Sequence, residues 1–180
     1  MSNSSVDKEF IKKYFGEYWI SRTNEYLYSN HSIAEKISDD EQVIDIGCGN
    51  NEFKPLIKNL LGIDIVNPRA DIIVDFDDFE TEQRFDVALC LGIIQYGNRA
   101  DIERQLQKLS QIIRPGGRVF WRTNTGVQDH KNDQVKLVPY YPWTKQAHTE
   151  FAKQFGFQCT FVTEDRYGRL YAEWEKSSTS

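Results

Sequence analysis

The chain has 180 residues, 39% of them hydrophobic and 13% aromatic, and a formal net charge of −5. This composition specifies one globular domain with a core of its own and excludes an intrinsically disordered chain. The acidic balance provides no basic field for non-specific nucleic-acid binding.

The first residues, MSNSSVDKEF, are polar and lack secretory character. No apolar run approaches the ~20 residues that a bilayer span requires. Cys48, Cys90 and Cys159 are far apart and show no C-x-x-C spacing, which suits reduced thiols. A soluble, cytoplasmic protein is expected.

Residues 10–37 read mostly as helix. Phe10, Tyr14 and Tyr18 recur at intervals of four, as do Ile11, Phe15 and Trp19. Gly16 weakens the pattern, and YSNHS around Ser29 breaks or recaps it. Five apolar runs follow that do not alternate: QVIDI, LGIDI, DIIVD, FDVALCL and GRVFWRT. Strands apolar on both faces belong to a parallel sheet covered on two sides. ADIERQLQKLSQII places Ile102, Leu106, Leu109 and Ile112 on one helical face, and Pro115-Gly116-Gly117 is predicted to end that helix. TKQAHTEFAKQFG places Ala147, Phe151 and Phe155 on one face, between Thr144 as N-cap and Gly156 as C-cap. FQCTFVTED and RLYAEWE, joined at Arg166-Tyr167-Gly168, form a hairpin. The predicted class is α/β, with one strand of the sheet reversed.

LGIDI and DIIVD are separated by only about VNPRA. A crossover helix does not fit in that length, and Pro68 opposes one. The helix between the second and third strands is therefore expected to be missing. Apolar sheet face left bare in this way calls for cover. The N-terminal aromatic segment, residues 10–28, is one candidate but is better placed over a bound cofactor; a second copy of the chain, in a homodimer, is the expected cover, with Phe76, Phe79 and Phe85 of the same chain as the alternative.

The stretch VIDIGCGNNEF, residues 43–53, is a strand running into a glycine turn at Gly47 and Gly49. Such a turn lets backbone approach a ligand closely. A dinucleotide fingerprint, G-x-G-x-x-G, would need glycine where Glu52 stands, and a phosphate loop, G-x-x-x-x-G-K-[ST], is absent. Acidic residues instead mark three strand ends: Asp45, Asp64 and Asp75. Asp64 follows Gly47 by 17 residues, near where a ribose-binding carboxylate belongs. Carboxylates repel phosphates but accept hydrogen bonds from ribose hydroxyls and from an ammonium. S-adenosylmethionine, with a ribose, an ammonium, a sulfonium and no phosphate, matches this set.

In these residues the chain resembles the class I S-adenosylmethionine-dependent methyltransferases. VIDIGCGNNEF looks like the family's first motif, with Asp45, Gly47, Cys48 and Gly49 in the turn. GIDI looks like the second, with Asp64 as ribose ligand and Ile65 beside it. VDF looks like the adenine contact, with Asp75 facing the exocyclic amine and Phe76 flanking the ring. FDVALCLGIIQY looks like the fourth-strand motif, whose end at Cys90 and Leu91 lines the methionine part of the cofactor. IIRPGGRVFW looks like the segment leading through the fifth strand. The motifs come in the family's order. Asn51 stands where a further glycine is often found, and Asn tolerates the left-handed backbone such a turn needs. The resemblance implies a Rossmann-like three-layer sandwich. Its mostly parallel seven-stranded sheet ends in an antiparallel C-terminal hairpin strand. Residues 1–40 would form a helical cap on a methyltransferase domain of residues 41–180.

Arg22, in the aromatic helix YFGEYWISRTNEY, is a candidate clamp for the cofactor's carboxylate, because the guanidinium fork suits that task. The long connection RTNTGVQDHKNDQVKLVPYYPW is expected to cover the acceptor site. It carries His130 and Tyr140 as candidate catalytic groups, His130 as a general base. No [NDS]-P-P-[YFW] motif follows the fourth strand, where Leu91-Gly92-Ile93 stands, and no proline-cysteine nucleophile motif is present. Amino-methylation and C5-methylation of DNA are thereby disfavoured. A small-molecule acceptor methylated on oxygen or nitrogen is expected. A protein or RNA acceptor, or a non-catalytic binding module on the same scaffold, is the alternative.

Overall fold

The structure is a computed structural model that describes residues 7–19, 30–126, 138–165 and 167–178. Helix α1 spans Lys8–Glu17 and α2 Asn30–Ala34. Strands β1 (Val43–Ile46), β2 (Leu60–Asp64), β3 (Ile72–Ile73) and β4 (Phe85–Leu91) follow. Helix α3 (Arg99–Ile112), β5 (Ile113–Asn124), α4 (Lys145–Gln154), β6 (Phe157–Glu164) and β7 (Arg169–Lys176) complete the domain.

The seven strands form one sheet in the order β3-β2-β1-β4-β5-β7-β6. β1 to β5 pair in parallel, and β7 is antiparallel to both of its neighbours, so one strand is reversed. The strand order changes direction between β1 and β4. In open α/β sheets that switch point, at the C-terminal edge, is where ligands bind.

The two sheet faces are set by the pleat. Ile44, Ile46, Ala88, Cys90, Val119 and Trp121 face α3 and α4 and form the larger core. Val43, Leu60, Val87, Leu89, Phe120 and Tyr171 face the other way, toward Ile33, Phe53 and Ile57. Asp45, Asp64, Leu91, Arg122, Asn124 and Arg169 follow from the period of two: all lie on this second face.

No helix lies between β2 and β3: residues 65–71 are turn and bend. Asp71 secures this connection. Its carboxylate accepts from the Gly62 N–H at 2.8 Å and from Lys54 Nζ at 2.8 Å. Phe76, Phe79 and Phe85 are buried in the larger core, whereas Ile72 and Ile73 on edge strand β3 are 42% and 58% exposed.

One local expectation is corrected. Pro115-Gly116-Gly117 is not a loop that ends α3. The helix passes straight into β5, where Ile113 is already extended at φ −91°, ψ 134°. Phe85 pairs with Ile113 and Val87 with Arg118, so residues 114–117 bulge opposite Asp86. On α4 Phe151 is buried as expected, with Ala147 and Phe155 packed partly buried against the same core, and His148 and Ala152 join the buried face. Thr144 does cap that helix, its hydroxyl accepting from the Ala147 N–H at 2.9 Å.

His148 stands in a cluster of three fully buried tryptophans. Trp143 lies 4.5 Å from it and Trp121 lies 4.5 Å from Trp174, ring centre to ring centre. Burial lowers the His148 pKa to about 3, so the ring is neutral, and Nε2 pairs with Thr123 Oγ1 at 2.9 Å. Trp143 also reaches toward the sheet edge, donating from Nε1 to the Ile94 carbonyl at 3.1 Å. Trp143→Ala is expected to cost about 3–5 kcal/mol of stability, while Ile73→Ala on the exposed edge stays within about 0.5 kcal/mol of wild type. Urea unfolding of the two variants measures both.

Candidate active site

A cavity of about 430 Å³ opens at the C-terminal edge of the sheet, over the switch point. Its floor is the glycine turn after β1. Gly47 and Gly49 adopt φ of 70° and 53°, and Asn51 follows at 56°. The N–H groups of Gly47 and Cys48 both donate to the Ile63 carbonyl at 2.9 Å, which ties the turn to β2. A side chain at Gly49 would collide with Trp19, whose ring would stand 2.6 Å from its Cβ.

Asp64 builds this floor. One carboxylate oxygen accepts from the Gly49 N–H at 3.0 Å; the other accepts from Val66 and Asn67 N–H at 2.9 and 2.8 Å. A carboxylate offers about four lone-pair sites, so three backbone donors leave room for a hydroxyl. Asp64 and Ile65 both line the cavity.

The adenine-side candidates, Asp75 and Phe76, also line it. Asp75 carries Lys8 of α1 at 2.9 Å, and the same ammonium reaches Asp77 at 3.5 Å. Arg104 links Asp77 and Asp101 at 2.9 and 3.0 Å behind them. Ile11, Tyr14 and Phe15 extend α1 across the opening as a roof.

The far wall is the loop that follows β4, at the end of the FDVALCLGIIQY motif. Gly92 and Gly97 adopt φ of 100° and 97°, and Ile94, which is β-branched, adopts 55°. A residue of that type in the left-handed region carries about 1–3 kcal/mol of strain. Burial of Ile94 and the Trp143 hydrogen bond hold it there. Gln95 locks the loop to the strand beside it. Its side chain donates to the Gly92 carbonyl at 3.1 Å and accepts from the Asn124 N–H at 2.8 Å. Tyr96 donates to Gly92 at 2.9 Å, and burial holds its hydroxyl well above the usual phenol range, so it stays protonated. Tyr140 pairs with Tyr96, ring centres 5.3 Å apart, and lines the cavity with it.

Asp45 is 3% exposed and does not line the main cavity. With Cys48 it lines a smaller recess behind the glycine turn. Burial, and then the charge of Asp64, raise the Asp45 carboxyl to about 8, against a lowering by Arg122. The Cys48 thiol is likewise raised, by burial first, and is not a thiolate. The expectation that Cys90 lines the cofactor is corrected. Cys90 is wholly buried on the α3 and α4 face, and the pleat gives the cavity to Leu91 instead. Arg22 and His130 lie outside the described residues.

Lys8, Trp19, Gln95, Tyr96, Arg122, Asn124 and Arg169 were not named as site residues. Gln95 and Tyr96 close the FDVALCLGIIQY motif and Trp19 belongs to the aromatic helical pattern, while Arg122 and Asn124 are polar residues at alternate positions where the apolar strand VFWRTN reaches the sheet edge.

A glycine turn at the switch point, with a carboxylate ending the second strand, defines a class I S-adenosylmethionine-dependent methyltransferase site. Residues 18–166 match the family model described as a methyltransferase domain, and the chain belongs to that family. Among curated proteins it is similar to Uncharacterized protein MJ1252 of Methanocaldococcus jannaschii, 25% identical, with 69% of this chain and 55% of that protein covered. The chain thus spans about half the length of that relative. Among solved structures it is similar to the 1,6-didemethyltoxoflavin-N1-methyltransferase of Burkholderia thailandensis, bound to 1,6-didemethyltoxoflavin and S-adenosylhomocysteine. That match has 16% identity and a TM-score of 0.73, over 94% of this chain and 86% of that one. It is also similar to magnesium protoporphyrin IX methyltransferase of Synechocystis with bound S-adenosylmethionine, at 13% identity and a TM-score of 0.68, over 98% and 100%. No helix among the described residues is long and apolar enough to cross a membrane, and no metal-binding cluster is found among them.

The raised Asp45 carboxyl makes stability depend on pH. The unfolded chain releases that proton near pH 4, whereas the folded chain holds it to about pH 8. Between these values the folded state binds more protons, so stability falls as pH rises, by at most about 1.4 kcal/mol per pH unit from this group. Asp45→Asn is expected to flatten that decline. Urea unfolding of both proteins at pH 5 and pH 8 measures it; parallel declines would remove Asp45 as the source.

Proposed function

We propose that this chain transfers the methyl group of S-adenosylmethionine to an oxygen or nitrogen of a small-molecule acceptor. The observation that carries the reading is the cavity itself. One space is bounded by the glycine turn and Asp64 on one side and by Tyr96 and Tyr140 on the other. Its volume of about 430 Å³ falls within the range of small-molecule sites. The relative crystallised with its small acceptor, an N1-methyltransferase, supports the same reading.

The residues present fit the donor. Gly47 and Gly49 bring backbone to the cavity without side chains in the way, and Asp64 keeps an acceptor position for a ribose hydroxyl. Ile65 and Phe76 offer apolar walls for the adenine, Asp75 a carboxylate for its amine, and Leu91 a wall for the methionine chain. Asp45 stands behind the turn, in a smaller recess beside Cys48. The donor supplies a methyl group on a cationic sulfur that departs as a neutral thioether. The chain's own residues hold the two reactants in line and exclude water, which supplies several kcal/mol of the barrier reduction. The α1 roof and the Tyr96–Tyr140 pair perform the exclusion, and Tyr140 is placed to orient the acceptor. A base is needed only where the attacking atom carries a proton to be lost.

S-adenosylmethionine and S-adenosylhomocysteine are expected to bind with micromolar affinity, about −8 kcal/mol, and NAD without measurable affinity. Asp64→Asn should weaken binding by about 1–3 kcal/mol, because it removes a charged acceptor. Calorimetric titration decides this; no heat from either ligand at millimolar concentration sinks the proposal.

The exposed Ile72 and Ile73 on edge strand β3 support a homodimer through that edge. Light scattering at micromolar concentration is expected to give twice the chain mass of 21.1 kDa; a mass near one chain would leave the edge without a partner copy.

A further inference from the structure

The glycine turn brings bare backbone to the cavity, and at Gly49 the space this leaves is already filled. A Cβ built on Gly49 would meet Trp19 Cη2, Cζ3 and Cζ2 at 2.6, 3.2 and 3.4 Å, and no atom beyond the neighbouring residues comes closer. The backbone angle alone does not demand glycine here. Asn51, two residues on, holds nearly the same φ, 56° against 53°, and asparagine tolerates that region. What excludes a side chain at position 49 is the indole of Trp19.

That ring also stands at a boundary. Trp19, Gly47, Gly49 and Leu91 line both the main cavity and the smaller recess that holds Asp45. With the indole on the turn, the recess measures about 40 Å³, room for no more than a few waters. Leu91 is the wall assigned above to the donor's methionine chain, and it is shared with the recess. The adenine-side residues Asp75 and Phe76 line the main cavity and not the recess. The indole therefore covers the methionine end of the donor site and leaves the nucleoside end open.

Little holds it there. The start of α1 is pinned, because Asp7 accepts from Glu9 and Phe10 N–H at 3.1 and 3.2 Å and Lys8 pairs with Asp75 at 2.9 Å. Trp19 lies past the other end, beyond Glu17 and the cap residue Tyr18. Its N–H shares the Tyr14 carbonyl with the Tyr18 N–H, at 3.1 against 2.9 Å, and helix ends of this kind fray. Its ring is tilted against Phe15, with centres 6.2 Å apart. A change of χ1 rotamer moves the indole without moving α1.

We propose, resting on the methyltransferase reading above, that Trp19 is a plug of the donor site. Its indole fills the space at Gly49 that the donor's methionine end requires, and the donor binds only after the ring has swung off the turn. The empty protein shields its glycine turn with its own side chain, and the free energy of that contact is subtracted from donor affinity. Adenosine, which lacks the methionine end, binds without moving the ring.

The test titrates the full chain and its Trp19→Ala variant with S-adenosylhomocysteine and with adenosine by calorimetry. Trp19→Ala is expected to bind S-adenosylhomocysteine about tenfold more tightly, as removal of a plugged state favoured about ten to one requires, and to bind adenosine without that gain. Proton NMR of the unsubstituted chain gives a second readout that does not depend on how the variant folds. An NOE between the Trp19 ring, assigned through Trp19→Phe, and the Gly49 Hα protons is expected in the free chain. It should persist with adenosine and vanish with S-adenosylhomocysteine. The proposal is overturned if Trp19→Ala binds S-adenosylhomocysteine equally or more weakly, if adenosine gains as much affinity, or if the NOE survives saturation with S-adenosylhomocysteine. Weaker binding would make the indole a contact of the donor. Equal binding leaves the methyltransferase reading intact, whereas S-adenosylhomocysteine binding to neither protein sinks that reading, and the plug with it.

Discussion

The Asp64 carboxylate is the joint on which the site depends. It terminates β2 and takes three backbone N–H groups, one from the glycine turn after β1 and two from the connection that follows its own strand. Those donors belong to turns, where no ladder is available, and a buried N–H left without a partner is costly. One side chain therefore satisfies the backbone of both turns and fixes their separation. Gly62, next in register, carries the same demand in reverse. A side chain there would come within 2.5 Å of Asn51, the residue that completes the turn in a left-handed conformation.

The short path from β2 to β3 gives this joint its importance. With no crossover helix in residues 65–71, the connection cannot lean on a helical layer. Side-chain hydrogen bonds take over: Asp64 holds Val66 and Asn67, Asn51 reaches the Arg69 carbonyl at 3.0 Å, and Asp71 grips Gly62. A polar network replaces a hydrophobic layer. The apolar cost appears at the margin, where β3 is only two residues long and leaves its isoleucines exposed.

On the other side of the switch point the architecture works through packing. Three buried tryptophans and neutral His148 stiffen the layer under β5 and β7. From that layer Trp143 holds Ile94 in its strained backbone, and the loop it anchors presents Gln95 and Tyr96 to the cavity. Aromatic mass below the sheet edge thus sets the position of polar groups above it. Helix α1 closes the opposite side through Lys8 and the carboxylates at Asp75 and Asp77. The Lys8 side of that contact is 44% exposed, against 13% for each carboxylate, so solvent screens it on one side only.

Local order was legible in the residues themselves. Unbroken apolar runs marked the buried parallel strands β1, β2, β4 and β5, although the same signal in DIIVD produced the exposed pair Ile72 and Ile73; glycines at 47 and 49 marked the turn, and Pro68 with a short spacing removed a helix. Each of these follows from backbone sterics or chain length, which act within a few residues. The strand-end carboxylate at Asp64 was legible for the same reason. The Pro-Gly-Gly bulge was not, because the register of β4 against β5 turns those residues into strand. Cys90 and Leu91 are equally apolar in sequence, and only pairing with β5 determines which one meets the cavity. Arg122 and Arg169 lie far apart along the chain; antiparallel pairing of β5 with β7 brings them to one face. The sequence by itself determined which residues could build a strand, a turn or a cap. Tertiary structure alone decided which of them share a face and a cavity, because that depends on register between distant strands, and register is a property of the assembled sheet.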